Sequence, residues 1–322
     1  MSDLDPAPDG YGMPAAGRSP QLAGPEFRLI PARDVPLGGV RAMSVSRTLP
    51  ERSLSTVGAW CFLDVAGPAE HLTRVLPHPH IGLQTVSWLL QGSIVHRDSV
   101  GSEVTVKPGQ LNLMTSGDGI AHSEFTPGET AEVVHLLQLW IALPADARRG
   151  PPRFEQHTDL PVVTGDGWSA TVIIGAIDAA VSPATTFSPL VGTEVRMDPG
   201  ATAVVPLRPD FEHAVLVPSG EIEVADTTVG PGPLAFLGSH RSEIALTAGE
   251  HGATVLLIGG EPLAEDLLMW WNFVGRDHDE IVAARDAWEA GSPRFGEVAG
   301  HNGARIPAPP MPALRLTPRR RR

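Results

Sequence analysis

Two short stretches carry side chains that can bind a metal ion: His78-Pro79-His80 and His122-Ser123-Glu124. In each, the two donors stand at i and i+2, and on a β-strand that spacing turns both toward one face. A single histidine pair means little, because 12 histidines in 322 residues give about 0.4 of them by chance. A second pair with the same spacing, just after the glycine-rich turn SGDG (116–119), is far harder to obtain by accident. Together they supply three imidazoles and one carboxylate, a donor set suited to iron(II), manganese, nickel, copper or zinc. No cysteine takes part, which disfavours a structural zinc knot. On a six-coordinate ion this set leaves two positions open for water, dioxygen or substrate. The competing reading is that these are ordinary, satisfied core or surface histidines.

The elements that must position these residues are short strands. VGAWCFLDV (57–65), TVSWLLQGSIV (85–95), LNLM (111–114) and EVVHLLQLWIALP (132–144) are β-rich runs, and a second set extends from ATVIIGAI (170–177) to ATVLLIGG (253–260). The 34 Gly and 32 Pro punctuate them more densely than long helical bundles tolerate. LLQGSIV (89–95) followed by VKPGQLNLM (106–114) is echoed by LVPSGEIEV (216–224) followed by VGPGPLAFL (229–237). Each predicts strand, turn at Gly92 or Gly220, strand, Pro-Gly turn, strand, hence two related β-domains in tandem. Aligning the turn glycines sets Pro206 and Arg208 against His78 and His80, and aligning the Pro-Gly turns sets Ala245 and Thr247 against His122 and Glu124. The second domain is therefore expected to hold no equivalent metal. One helix is predicted late: Asp277 and Glu280 form a capping box, Ile281, Ala284 and Trp288 share a face, and Gly291 ends it.

The expected boundaries are a disordered tail at 1–26, a metal-binding domain at 27–160, a metal-free domain at 161–275, a helix packing on the barrels at 276–300 and a Pro/Arg tail at 301–322. A formal charge of −13 argues against direct nucleic-acid binding through a broad basic face, leaving small molecules or proteins as partners. Cys61, the single cysteine, allows no intramolecular disulfide, and no apolar run approaches 18 residues, so a cytoplasmic protein without a membrane segment is expected. Some motifs are imitations. HRDS (96–99) has Glu103 where a protein kinase needs Asn, and is read as a hairpin turn; Gly117-Asp118-Gly119 runs into His122 in place of a third glycine. Trp270-Trp271 is read as packing, and Arg319 to Arg322 as solvated tail.

The block HPHIGLQTVSWLLQGSIVHRDSVGSEVTVKPGQLNLMTSGDGIAHSE (78–124) resembles the signature of the pirin family, and the likeness extends upstream to 47–64 and downstream to 256–281. It implies an all-β fold of two tandem cupin β-sandwich or barrel domains, a bicupin, with a short C-terminal helix. It also implies one metal ion, most often iron(II), held by His78, His80, His122 and Glu124. The activity implied is that of a quercetin 2,3-dioxygenase, which opens a flavonol ring with O2, with Glu124 also accepting a proton. The alternative is a non-catalytic, metal- and redox-responsive regulator that binds a protein partner. The chain departs from the family at Val65, where a His is frequent, and at Gln84, where many cupins place a Glu ligand.

Overall fold

The computed structural model describes residues 11–12, 24–37 and 43–318. Most of the expected tail at 1–26 lies outside them, as do Arg319 to Arg322. Among the described residues the fold is all-β with one short α-helix, and every pairing between the strands named below is antiparallel.

In the first half a seven-stranded sheet runs in the order Arg153–His157, Leu111–Thr115, Leu83–Gln91, Glu132–Ala142, Trp60–His71, Met43–Leu49, Arg33–Leu37. A four-stranded sheet faces it: Arg74–His80, Ile120–Phe125, Ile94–Asp98, Glu103–Val106. Strand alternation sends Val45, Ala66, Leu89, Val134 and Leu136 of the larger sheet against Ile94 and Val106 of the smaller. The second half is a nine-stranded sheet whose main path runs Val162–Gly165, Trp168–Ile174, Leu190–Met197, Glu243–Gly260, Glu212–Val224, Leu234–Gly238. Thr202–Pro206 lies beside Glu243–Gly260. This sheet closes on an aliphatic core that includes Val172, Val195, Val217, Leu237 and Leu257.

The other face of the seven-stranded sheet packs on the second half. Trp60, Leu63, Val86, Trp88, Leu137 and Leu139 meet Ile174, Leu216, Phe236, Leu256 and Ile258 in one cluster. The Trp60 indole N–H donates to Val191 O (3.2 Å) and Gly259 O (3.1 Å), and that of Trp88 donates to Glu194 Oε2 at 2.5 Å. Fully burying one such apolar side chain contributes about 1.5–3 kcal/mol, so this shared layer joins the halves into one body.

The repeated turn occurs in both halves with one backbone requirement. Gly92 and Gly220 have φ +84° and +75°, and a Cβ there would meet Val133 O at 2.5 Å and Gly252 O at 2.1 Å. Other expectations need correction. Strand Pro25–Ile30, assigned from residue 27 to the first domain, pairs instead with Leu234–Gly238, where Ile30 completes the cluster between the halves. The helix, His278–Glu289, is capped by Asp277, whose Oδ1 accepts from Glu280 N at 2.9 Å, and it buries Ile281, Ala284 and Trp288. The return arm of the capping box is not made, because the Glu280 carboxylate accepts from Arg276 N and pairs with the Arg148 guanidinium, a charged and stronger partner. Trp270 and Trp271 pack beneath the helix, as expected. Residues 301–318 are not a free tail: Ile306 N donates to Pro77 O at 2.8 Å, and Ala308 and Leu316 are buried in the helix cluster.

Candidate metal centre

The four-stranded sheet brings the two histidine-bearing stretches side by side. His122 lies opposite His78 and Ile120 opposite His80, while a bulge after His122 moves Glu124 opposite Val75. His78, His80, His122 and Glu124 are all buried, at 0%, 0%, 2% and 2% exposure. One nitrogen from each of the three imidazoles lies within 4.8 Å of the others; Glu124 is not part of that group, but two residues beyond His122 on the same strand its carboxylate is near enough to act electrostatically on His78.

Each imidazole spends Nδ1 on a neighbour and turns Nε2 inward. His78 Nδ1 is 2.9 Å from Leu76 O, His80 Nδ1 is 3.2 Å from Asn272 O, and His122 Nδ1 is 3.3 Å from His96 Nδ1. Nε2 of His80 and of His122 are 3.1 Å apart, and the buried Nε2 of His78 has no hydrogen-bond partner. Two nitrogens that share one ion at about 2.0–2.1 Å are about 3.0–3.4 Å apart, so the spacing fits a common metal. Burial lowers His78 to about 4 against the pull of the Glu124 carboxylate, and it sets His80 and His122 well below the usual imidazole range, with the neighbouring rings adding to the effect. Three neutral rings with converging lone pairs are the form in which histidine binds metal. Without an ion, the orphaned His78 nitrogen would be a buried polar atom left unsatisfied.

The sequence reading missed the residues behind His122. His96 Nε2 lies 3.0 Å from Asp98 Oδ2, and the His96 ring stacks on Phe154 at 4.5 Å. Asp98 Oδ1 in turn accepts from Val100 N (3.0 Å) and Ser102 N (2.9 Å). Burial raises the Asp98 carboxyl, but hydrogen bonds from His96 and Ser102 outweigh it and hold the group below the usual carboxylate range. The HRDS stretch does turn after Asp98, and it also carries a third i, i+2 pair on strand Ile94–Asp98, the signal that would have found it. Asn112 was missed too. Leu111 and Leu113 face the second half, so Asn112 faces the metal-site interior, 3% exposed, with both amide atoms lacking a partner. Trp140 stands edge-on to His80 with centroids 5.3 Å apart, and it stacks on Phe62 at 4.0 Å.

Both departures from the family pattern fall on the opposite face. Gln84 donates to Thr185 O (3.1 Å) and Thr115 Oγ1 (3.0 Å), and Val65 packs on the cluster between the halves. Neither touches the histidine cluster. The repeat alignment needs a shift of one residue. Arg208 and Ala245, set against His80 and His122, are exposed, whereas Val205 pairs with Ile244 as His78 pairs with His122. The inward positions of the second half are thus Val205, Leu207, Ile244 and Leu246, all aliphatic and buried.

Two antiparallel β-sandwiches in tandem, one of them holding a buried three-histidine cluster between its sheets, define a bicupin. The pirin family model matches residues 42–141, and the model of the pirin C-terminal cupin domain matches residues 192–296. The chain belongs to the pirin family. It is 42% identical, over 88% of its length and 90% of the relative's, to a Pseudomonas aeruginosa protein that carries quercetin 2,3-dioxygenase as a provisional name. A crystal structure of quercetin 2,3-dioxygenase from Acinetobacter baumannii superposes with TM-score 0.84 at 39% identity, covering 89% of this chain and 96% of that one. The Escherichia coli pirin YhhW, solved in complex with nickel(II), shares the fold at 18% identity and TM-score 0.61, covering 74% and 100%. Among the described residues no helix is long and apolar enough to cross a membrane.

Proposed function

We infer that the N-terminal half binds one iron(II) ion through His78, His80, His122 and Glu124, and that the protein is a cytoplasmic dioxygenase that opens a flavonol such as quercetin with O2. The observation that carries this reading is the convergence of three buried imidazoles whose outer nitrogens are already engaged. Bound there, iron would supply a Lewis acid and a redox centre for the reaction of dioxygen with the flavonol. The chain's own residues do the rest. Glu124, on the inner face beside His78, accepts the proton of the flavonol hydroxyl as the substrate engages. The Asn112 amide, which has a donor and an acceptor to offer, hydrogen-bonds the carbonyl and hydroxyl edge of the ring system. Phe62, Trp140 and Phe154 wall the interior with planar apolar surface that accommodates an aromatic substrate and keeps water out. Names borne by relatives support the substrate class. The test is to purify the protein loaded with iron and mix it with quercetin in air. Oxygen uptake with loss of the flavonol absorption band is expected. Neither change, with iron content confirmed, overturns the reading.

A further inference from the structure

We propose that His96 and Asp98 are positioning residues that fix the tautomer and aim of His122, so that its Nε2 lone pair is the one offered to the metal. The proposal rests on the metal reading above and goes beyond it to residues that touch neither ion nor substrate.

His122 differs from its two companions in how Nδ1 is held. His78 and His80 turn Nδ1 to backbone carbonyls, which only accept, so Nδ1 must carry the proton and Nε2 the lone pair. His122 instead faces another imidazole, and a neutral imidazole can donate or accept at either nitrogen. The ambiguity is removed one step further out. Asp98 Oδ1 is occupied by the amides of Val100 and Ser102, which lock the carboxylate in the turn, and Oδ2 can only accept. His96 therefore carries its proton on Nε2 and donates it to Asp98. Its Nδ1 is left as an acceptor, His122 Nδ1–H donates to it, and His122 Nε2 is left bare. Stacking on Phe154 holds the His96 ring in that plane. The strand register makes the arrangement possible: His122 pairs with Asp98 and Glu124 with His96 across one ladder. Partners of this kind behind a metal-binding histidine are worth about 10–100-fold in metal affinity.

Three variants test it, each with its fold checked by thermal melting of the apo-protein. Asp98→Asn keeps the shape and the Oδ1 acceptor but presents N–H to His96 Nε2. That reverses every hydrogen bond in the row and leaves His122 protonated on Nε2. His96→Leu removes the acceptor, and His96→Gln keeps one. Ni(II) titrated against a chromophoric chelator should bind about 10–100-fold more weakly to Asp98→Asn and His96→Leu, and with a smaller loss to His96→Gln. In the metal-free protein, long-range 1H–15N spectra should show His122 protonated on Nδ1 in the wild type and on Nε2 in Asp98→Asn. A merely structural role for Asp98 would not move that signature. Wild-type protein that binds Ni(II) while both Asp98→Asn and His96→Leu bind it equally well overturns this proposal alone. Wild-type protein that binds no metal overturns the metal reading and this proposal with it.

Discussion

The two sandwiches repeat one scaffold and fill it in opposite ways. At four matching inward positions the first half carries His78, His80, His122 and Glu124, and the second carries Val205, Leu207, Ile244 and Leu246. Each aliphatic side chain contributes about 1.5–3 kcal/mol by leaving water, whereas a buried polar group costs free energy unless it finds a partner. The first half meets that cost with a second layer of Leu76 O, Asn272 O and the His96–Asp98 pair, and it leaves one nitrogen of His78 unanswered. The second half needs no such layer at these positions. It contributes instead the packing face on which the seven-stranded sheet rests. A cupin sandwich is thus a stable frame by default, and it becomes a site where several rungs of its inner ladder give up packing for donors.

The sharpest way to break this comparison is metal content. His80→Ala or Glu124→Ala is expected to lower bound iron from about one ion per chain to under about a tenth, while His213→Ala, in the second half, leaves it unchanged. Equal losses in all three would end the distinction between the halves. Next in size is a donor forced into the second half. Leu246→Glu should cost about 3–5 kcal/mol in urea unfolding as an unpaired buried charge, whereas Glu124→Leu leaves the stability of the apo-protein unchanged or raised. A cost under about 1 kcal/mol for Leu246→Glu would show that the second interior is wet. The third contrast is in acid. His213 is buried with Nδ1 unpartnered, and burial lowers it to about 4. The unfolded chain takes up that proton first, so the contribution is complete above about pH 6.5 and drains as pH falls toward 4, by about 3 kcal/mol in all. His213→Leu should flatten the unfolding stability measured between pH 7 and 4.5 without altering metal content, and an undiminished slope would show a hydrated ring. The smallest effect concerns the substrate. Asn112→Leu should raise the KM for quercetin about 5–30-fold, the loss of about 1–2 kcal/mol of hydrogen bonding, at unchanged iron content. An unchanged KM would remove Asn112 from recognition.

The histidine pairs were legible in the sequence because alternation on a strand converts an i, i+2 spacing into a shared face, whatever the rest of the fold does. The same rule applied to His96 and Asp98, but a turn motif beside them drew the reading to Ser99 and away from the strand before it. The orientation of Gln84 and Val65 was hidden for a different reason. In a sheet buried on both faces, polarity no longer says which side is in, and only the packing of the second half shows that both residues look away from the site. The repeat alignment failed by a single residue, enough to turn every side chain over, because turn glycines fix where strands connect and leave the face open. Asn112 gave no signal at all: one amide inside LNLM is unremarkable until the strand beside it is known.

Strand Pro25–Ile30 precedes the first half in the chain yet completes the sheet of the second, while residues 301–318 follow the second half and brace the first, where Ile306 meets Pro77 and His301 meets Ser123, between His122 and Glu124. The halves are therefore stitched at both ends. A protease that nicks the exposed connection near Asp159, between strand Arg153–His157 of the first half and strand Val162–Gly165 of the second, would yield two fragments that stay together, and a gene cut at the same point would yield two products that each lack a piece of themselves. What looks in the sequence like a pair of separable modules is, in the folded chain, a single unit that can be cleaved but not divided.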